Sequence, residues 1–225
     1  MNRAHIIAAL HARRSVRGFS IRRCAADRGR DSGRRRAHPS ASNTQPWRVY
    51  ACAGDVRDRL SEALLALHDT GGGEHREEYV YYPPAWREPY LARRRTLGKA
   101  LYGLLGIPRG DDTGMARQYA RNYAFFGAPV GLFFTIERGQ GQAAWLDLGM
   151  FLHAVMMAAL GHGLETCAQQ AFARYHQVIR AQLRIPDSEI VVCGMSLGHP
   201  DPREPANRLR TAREPVEAFA RFAGW

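Results

Sequence analysis

The chain has 225 residues, 45% apolar and 24% charged, enough for one large domain with a complete core. Its four cysteines (Cys24, Cys52, Cys167, Cys193) form no CxxC pair and its nine histidines no HxxxH or HExxH pattern, which argues against a zinc site, a disulfide scaffold or any metal centre. The net charge of +11 invites a nucleic-acid reading, but seven arginines between Arg22 and Arg36 hold nearly half of that surplus; no nucleic-acid partner is expected, and the remainder suits small anions.

Asn2–His11 reads as a short helix with Ile6, Ile7 and Leu10 on one face. It runs into Arg13-Arg14-Ser15-Val16-Arg17. Three guanidinium forks and a hydroxyl suit an anion such as a phosphate, although a solvated basic face explains the same residues. No apolar N-terminal run resembles a signal peptide, so a cytoplasmic protein is expected. Ser20–His38 is anomalous, with almost no apolar residue after Ile21. Its Arg/Ala/Gly composition is what GC-rich DNA gives out of frame, and a compensated pair of frameshifts or a sequencing error is the hypothesis for it.

Pro39–Trp47 (PSASNTQPW) is a polar turn cluster. The amides of Asn43 and Gln45 can pair with a ligand that both donates and accepts, or can serve the turn alone. A strand follows at Val49–Ala53, then a helix from Gly54 to about His68. After Gly71–Gly73 the segment 74–115 holds a helix over Pro89–Leu105 and a dense aromatic set, Tyr79, Tyr81, Tyr82, Trp86 and Tyr90. Such rings either wall an organic-molecule pocket or pack the excursion onto the body.

Met115–Phe126 reads as a helix and Val130–Ile136 as a strand. Trp145–Leu160 is apolar on nearly every side, interrupted by Asp147 and His153, which predicts a helix buried all round, in a domain core or between two copies. At about 16 residues it is short of a membrane span, and no membrane partner is expected. Tyr175–Leu183 reads as a helix and Glu189–Ser196 as a strand. In the tail, Val216, Phe219, Phe222 and Trp225 recur at three-residue intervals, so the end is expected to dock. Three strands and about seven helices without βαβ repetition predict an α+β domain over 1–225. No GxGxxG or GxxxxGK[ST] stands in the chain, so a Rossmann or P-loop site is not expected.

The order of motifs resembles the FMN-dependent nitroreductase family. The similarity is carried by RRSVR at 13–17, PSASNTQPW at 39–47, NYAFFGAPVGLFFT at 122–135, WLDLGMFL at 145–152, Gly163–Phe172, CGMSLGHPD at 193–201 and Asn207–Pro215. YYPPAWREPYLARRR and ALYGLLGI resemble the nitrobenzoate-reductase-like branch. The resemblance implies a small mixed or antiparallel sheet flanked by helices, a long central helix at a homodimer interface, an FMN at each of two shared sites, and an excursion 74–115 over the active site. By the same resemblance Arg13 and Ser15 meet the FMN phosphate and ribityl chain, Arg14 between them is counted with the cofactor-binding residues, and Arg213 with Arg210 adds to phosphate binding from the C-terminal side. Arg17 lies beside flavin N1 and the C2 oxygen, where a cation stabilises the reduced ring. Ser40, Ser42, Asn43 and Gln45 reach the flavin from the partner, Asn122 contacts its pyrimidine side, and Gln170–Ala171 offer a backbone N–H to N5. Ala168 departs from the proline common just before that contact. NADPH or NADH would reduce the cofactor and leave, and a nitroaromatic or quinone would then take two electrons, a ping-pong scheme with no catalytic side chain required. Reductive dehalogenation, ring dehydrogenation and an inactive flavin-binding homologue are the alternatives.

Overall fold

The computed structural model describes residues 3–21 and 38–224. Apolar runs near residues 50, 133 and 193 become the strands β1 (Trp47–Ala53), β2 (Val130–Glu137) and β4 (Glu189–Gly198), and a further strand, β3, covers Glu165–Gln169. They form one antiparallel sheet in the order β1-β2-β4-β3. β3 was not among the three expected strands. Its sequence, ETCAQ, has neither the apolar run nor the aromatic and β-branched content that marks the other three.

β2 and β4 are central and covered on both faces, so they read as near-continuous apolar runs. Successive side chains point to opposite faces, and the neighbours Phe133 and Phe134 accordingly enter different cores. One core, with Phe133, Phe125, Phe172, Tyr123, Leu60 and Ile179, is covered by the helices α2 (Gly54–Asp69) and α6 (His176–Leu183). The other, with Phe134, Ile136, Met195, Leu148 and Phe151, is covered by α5 (Gln142–Gly161). Helices α1 (Arg3–Ala12), α3 (Tyr90–Leu104), α4 (Asp112–Ala120) and the short α7 (Val216–Phe219) complete the described elements. Gly194 is required by packing: a Cβ there would stand 2.4 Å from Cδ2 of the buried Phe172 ring.

Several expectations change. The 115–126 helix is displaced to α4, which starts earlier because Asp111 accepts the Gly114 N–H at 2.8 Å. It ends by residue 121 because Phe125 and Phe126 must both be buried, and both adopt left-handed backbone (φ 51° and 53°) to do so. α5 is 20 residues long, not 16, and by length and composition alone is apolar enough to cross a membrane. It is not buried all round: one stripe of Ala144, Asp147, Leu148, Phe151 and Ala159 is covered, while Leu146 is 72% exposed. A single chain covers one face of this helix and leaves the opposite apolar face open. The tail is held to α3 by Glu214, whose Oε1 accepts from Arg93 Nε at 3.0 Å, but its apolar residues Val216 and Phe219 are exposed and α7 spans only four residues. Trp225 lies outside the described residues, as does all of the anomalous segment except Ser20, Ile21 and His38, and with it the frameshift hypothesis.

Candidate functional site

After α1 the chain turns along the edge of β3. Val16, fully buried, donates its N–H to the Thr166 carbonyl at 3.0 Å, and Ser15 bridges Thr166 in parallel. Locking Val16 inward sets Ser15 and Arg17 to the other side, by the two-residue alternation of extended chain. Arg14 Nη2 pairs with Glu165 Oε1 at 3.1 Å. Arg13, Arg14 and Arg210 all act on Glu165, yet burial outweighs them and leaves its carboxyl above the usual range. Three cations around one reluctant carboxylate make a pocket short of negative charge, and the Arg14 Nε is buried with no hydrogen-bond partner.

The backbone of Arg17 is fixed from the C-terminal side: its N–H donates to Asn207 Oδ1 at 2.8 Å, and Asn207 Nδ2 donates to the Gly18 carbonyl at 2.8 Å. Arg210 Nη1 donates to the Asn207 carbonyl at 2.9 Å, which folds it back toward the cluster. Arg213 stands apart, exposed, with Nη1 donating to Thr211 Oγ1 at 2.6 Å.

β3 leads straight from Thr166 into a 3-10 turn, Gln170–Tyr175, whose first backbone N–H groups, as at any helix start, precede the turn's own bonds. Ala171 is buried. Gln169 Nε2 donates to the Asn122 carbonyl at 2.8 Å and its Oε1 accepts from Ser196 Oγ at 2.5 Å, so Asn122 is tied to the end of β3. The structure therefore assembles Arg13, Arg14, Ser15, Arg17, Arg210, Asn122, Gln170 and Ala171 along one strand.

Ser40, Ser42, Asn43 and Gln45 are elsewhere. Their turn enters β1, at the other edge of the sheet, three strand spacings of about 4.8 Å away, roughly 14 Å. Ser42, Asn43 and Gln45 all have left-handed backbone (φ 50°, 56° and 48°), a costly state for residues with a Cβ. The turn is held by Ser40 Oγ, which accepts the Gln45 N–H at 3.1 Å, and by Asp147 of α5, whose two oxygens accept the Ala41 N–H at 3.1 Å. Among the described residues the exposed side chains of Ser42, Asn43 and Gln45 make one bond, Gln45 Nε2 to the Asn43 carbonyl.

Asp147, Glu165, Gln169 and Asn207 were missed as supports of the site. All four are polar residues with little exposure, and the lone Asp147 in an apolar helix was the one readable signal. The three described cysteines are inert: burial raises the thiols of Cys52 and Cys167 to about 11 and that of Cys193 to about 12. Among the described residues no group of three metal-ligating side chains occurs.

A second charged cluster fastens the excursion. Glu78 accepts from Arg138 Nη2 at 2.5 Å and Arg180 Nη2 at 3.1 Å, and lies 3.2 Å from His176 Nδ1. Burial, with Arg138, Arg180 and His75 adding repulsion, lowers the His176 pKa below its ordinary 6.5 despite Glu78. A depressed histidine favours the fold above pH 6.5 and disfavours it as pH falls toward the folded pKa, because the unfolded chain takes the proton more readily. Wild type should thus lose more melting temperature between pH 7.5 and 5.5 than His176→Gln does; parallel losses would show that His176 does not carry the slope.

Comparison with known proteins shows the family. The model of the nitroreductase family matches residues 10–199. A 4-nitrobenzoate reductase of Pseudomonas putida is 40% identical over 190 residues, 84% of this chain and 82% of that protein. A nitrobenzene nitroreductase of Ectopseudomonas oleovorans is 40% identical over 184 residues, 82% of this chain and 81% of that protein. The crystal structure of the FMN-dependent nitroreductase NfnB from Mycobacterium smegmatis in complex with NADPH superposes with a TM-score of 0.90 at 27% identity, covering 98% of both chains. With matched motifs, fold and near-complete coverage in agreement, the chain belongs to the nitroreductase family.

Proposed function

We propose that this chain is an FMN-dependent oxidoreductase that uses NADPH or NADH to reduce nitroaromatic compounds or quinones, working in the cytoplasm as a homodimer without nucleic-acid or membrane partners. The observation that carries the reading is the separation of the two halves of the site. The arginine cluster stands at the β3 edge and the Ser40–Gln45 turn at the β1 edge, so one chain does not enclose a flavin with both. A second copy supplies the missing half. The open face of α5 and the exposed Val216 and Phe219 are apolar surfaces such a copy would cover.

The residues present fit FMN. Arg13, Arg14 and Arg210 exceed the negative charge of Glu165, and with the Ser15 hydroxyl they form a donor set for a phosphate and a polyol. Arg17 supplies a fixed positive charge for an electron-rich ring, its side chain making one weak bond among the described residues, 3.4 Å to the Ser15 carbonyl. The N–H groups of Gln170–Ala171 and the second N–H of the Asn122 amide, whose first donates to the Tyr119 carbonyl at 2.8 Å, are the remaining donors toward the cofactor. When bound, FMN supplies two-electron transfer between nicotinamide and acceptor. The 74–115 excursion, clamped at Glu78, would border the acceptor's side.

The test is the visible spectrum of the purified protein with FMN, before and after anaerobic NADPH and then 4-nitrobenzoate. Flavin bands should bleach with NADPH and return with the nitro compound. A colourless protein that takes up no FMN would overturn the reading.

A further inference from the structure

The aromatic residues of the excursion form neither a closed core nor a closed pocket: Tyr81, Tyr82 and Tyr90 are 49%, 53% and 60% exposed. They form a series instead, with ring centroids 6.4 Å apart for Tyr79–Tyr81, 4.5 Å for Tyr81–Tyr82 and 5.2 Å for Tyr82–Trp86. The inner end is pinned. The Tyr79 ring lies 4.8 Å from that of Trp145 on α5, and its hydroxyl donates to the Val192 carbonyl at 2.5 Å. The Gln170 side chain sits beside the same hydroxyl, yet its buried Nε2 makes no well-formed hydrogen bond. The series thus starts at a residue of the proposed cofactor site.

Its outer end carries Arg94. The guanidinium carbon stands 5.6 Å from the Tyr82 ring centroid and 5.3 Å from that of Trp86. Two rings fix a long side chain and shield part of it from water, which reduces the entropy lost on binding an anion. The neighbouring Arg93 is already committed, with Nε 3.0 Å from Glu214 Oε1. Arg94 makes no ion pair or hydrogen bond among the described residues, so its donor fork is open. An open fork accepts one planar carboxylate in two parallel bonds, and the adjoining ring faces suit an aryl group attached to it.

We propose that Arg94, held on Tyr82 and Trp86, forms an outer subsite that captures the carboxylate of aromatic acids. The subsite rests on this geometry and not on the flavin-dependent reading above. At the far end of the ring series from Gln170, Arg94 is a binding residue and not a catalytic one.

The experiment is titration of benzoate, and of neutral benzamide, against tryptophan fluorescence, with and without FMN. Benzoate should quench saturably, Arg94→Gln should weaken it about tenfold, and Arg94→Lys, which keeps the charge and loses the fork, should recover part of that. Benzamide should not distinguish the three proteins. Equal weakening of benzoate and benzamide would reduce Arg94 to a support of the aromatic wall and overturn the proposal, as would benzoate binding unchanged by Arg94→Gln. A KM effect confined to NADPH would reassign the fork to a coenzyme phosphate and overturn it too. Arg94-dependent benzoate binding in a protein that never bleaches with NADPH would leave the subsite standing and sink the redox reading instead.

Discussion

Phe172→Ala should cost about 3–5 kcal/mol of folding stability, the range for removing a fully buried aromatic side chain. Phe172 is 0% exposed, and its ring centroid lies 4.8 Å from Phe125, 5.1 Å from Phe133 and 6.0 Å from Tyr123. Gly194 is already pressed against that ring and has no side chain to move into the void. Against a typical total of about 5–15 kcal/mol the loss is a large fraction. Urea unfolding at 25 °C measures it, and a loss under about 1 kcal/mol would mean that the surrounding rings collapse into the space. Because Phe172 shares its 3-10 turn with Gln170 and Ala171, FMN retention should fall in the same variant.

Arg13→Ala should weaken FMN by about 2 kcal/mol, roughly thirtyfold in Kd, the loss expected for one charge-assisted contact to phosphate. Arg13 is half-buried beside Glu165, so removing it also leaves that raised carboxyl with one cation fewer. Arg13→Lys should recover only part of the affinity, since an ammonium does not reproduce the two-pronged geometry. Fluorescence titration of FMN into the flavin-free protein reads the change, with urea unfolding as the control for folding. A Kd indifferent to Arg13→Ala would shift the phosphate to Arg14 and Arg210.

The candidate site was legible in the sequence where chemistry is concentrated in a short run. Arg13–Arg17 and Pro39–Trp47 are such runs, and both form defined local structure, one locked by Val16 against β3 and the other by left-handed turns and Asp147. Illegible were the supports, because a buried polar residue acts through a partner far along the chain: Asn207 serves Arg17, 190 residues away, and Gln169 serves Asn122. The aromatic excursion was ambiguous for a related reason. Its composition allowed packing or lining, and the structure divides it, with Tyr79 packed on Trp145 and Tyr81, Tyr82 and Tyr90 left open.

By itself the sequence determined the periodic elements: α2, α3, α5, α6 and the strands β1, β2 and β4 follow from runs of apolar residues whose spacing only one backbone geometry can bury. Tertiary structure alone decided three things. Pairing with β4 makes a strand of Glu165–Gln169, whose residues carry no apolar run to declare it. Burial of Phe125 and Phe126 overrides helix propensity and ends α4 early. Strand order places the arginine cluster and the Ser40–Gln45 turn at opposite edges of one sheet, because order depends on long-range pairing that no local pattern encodes.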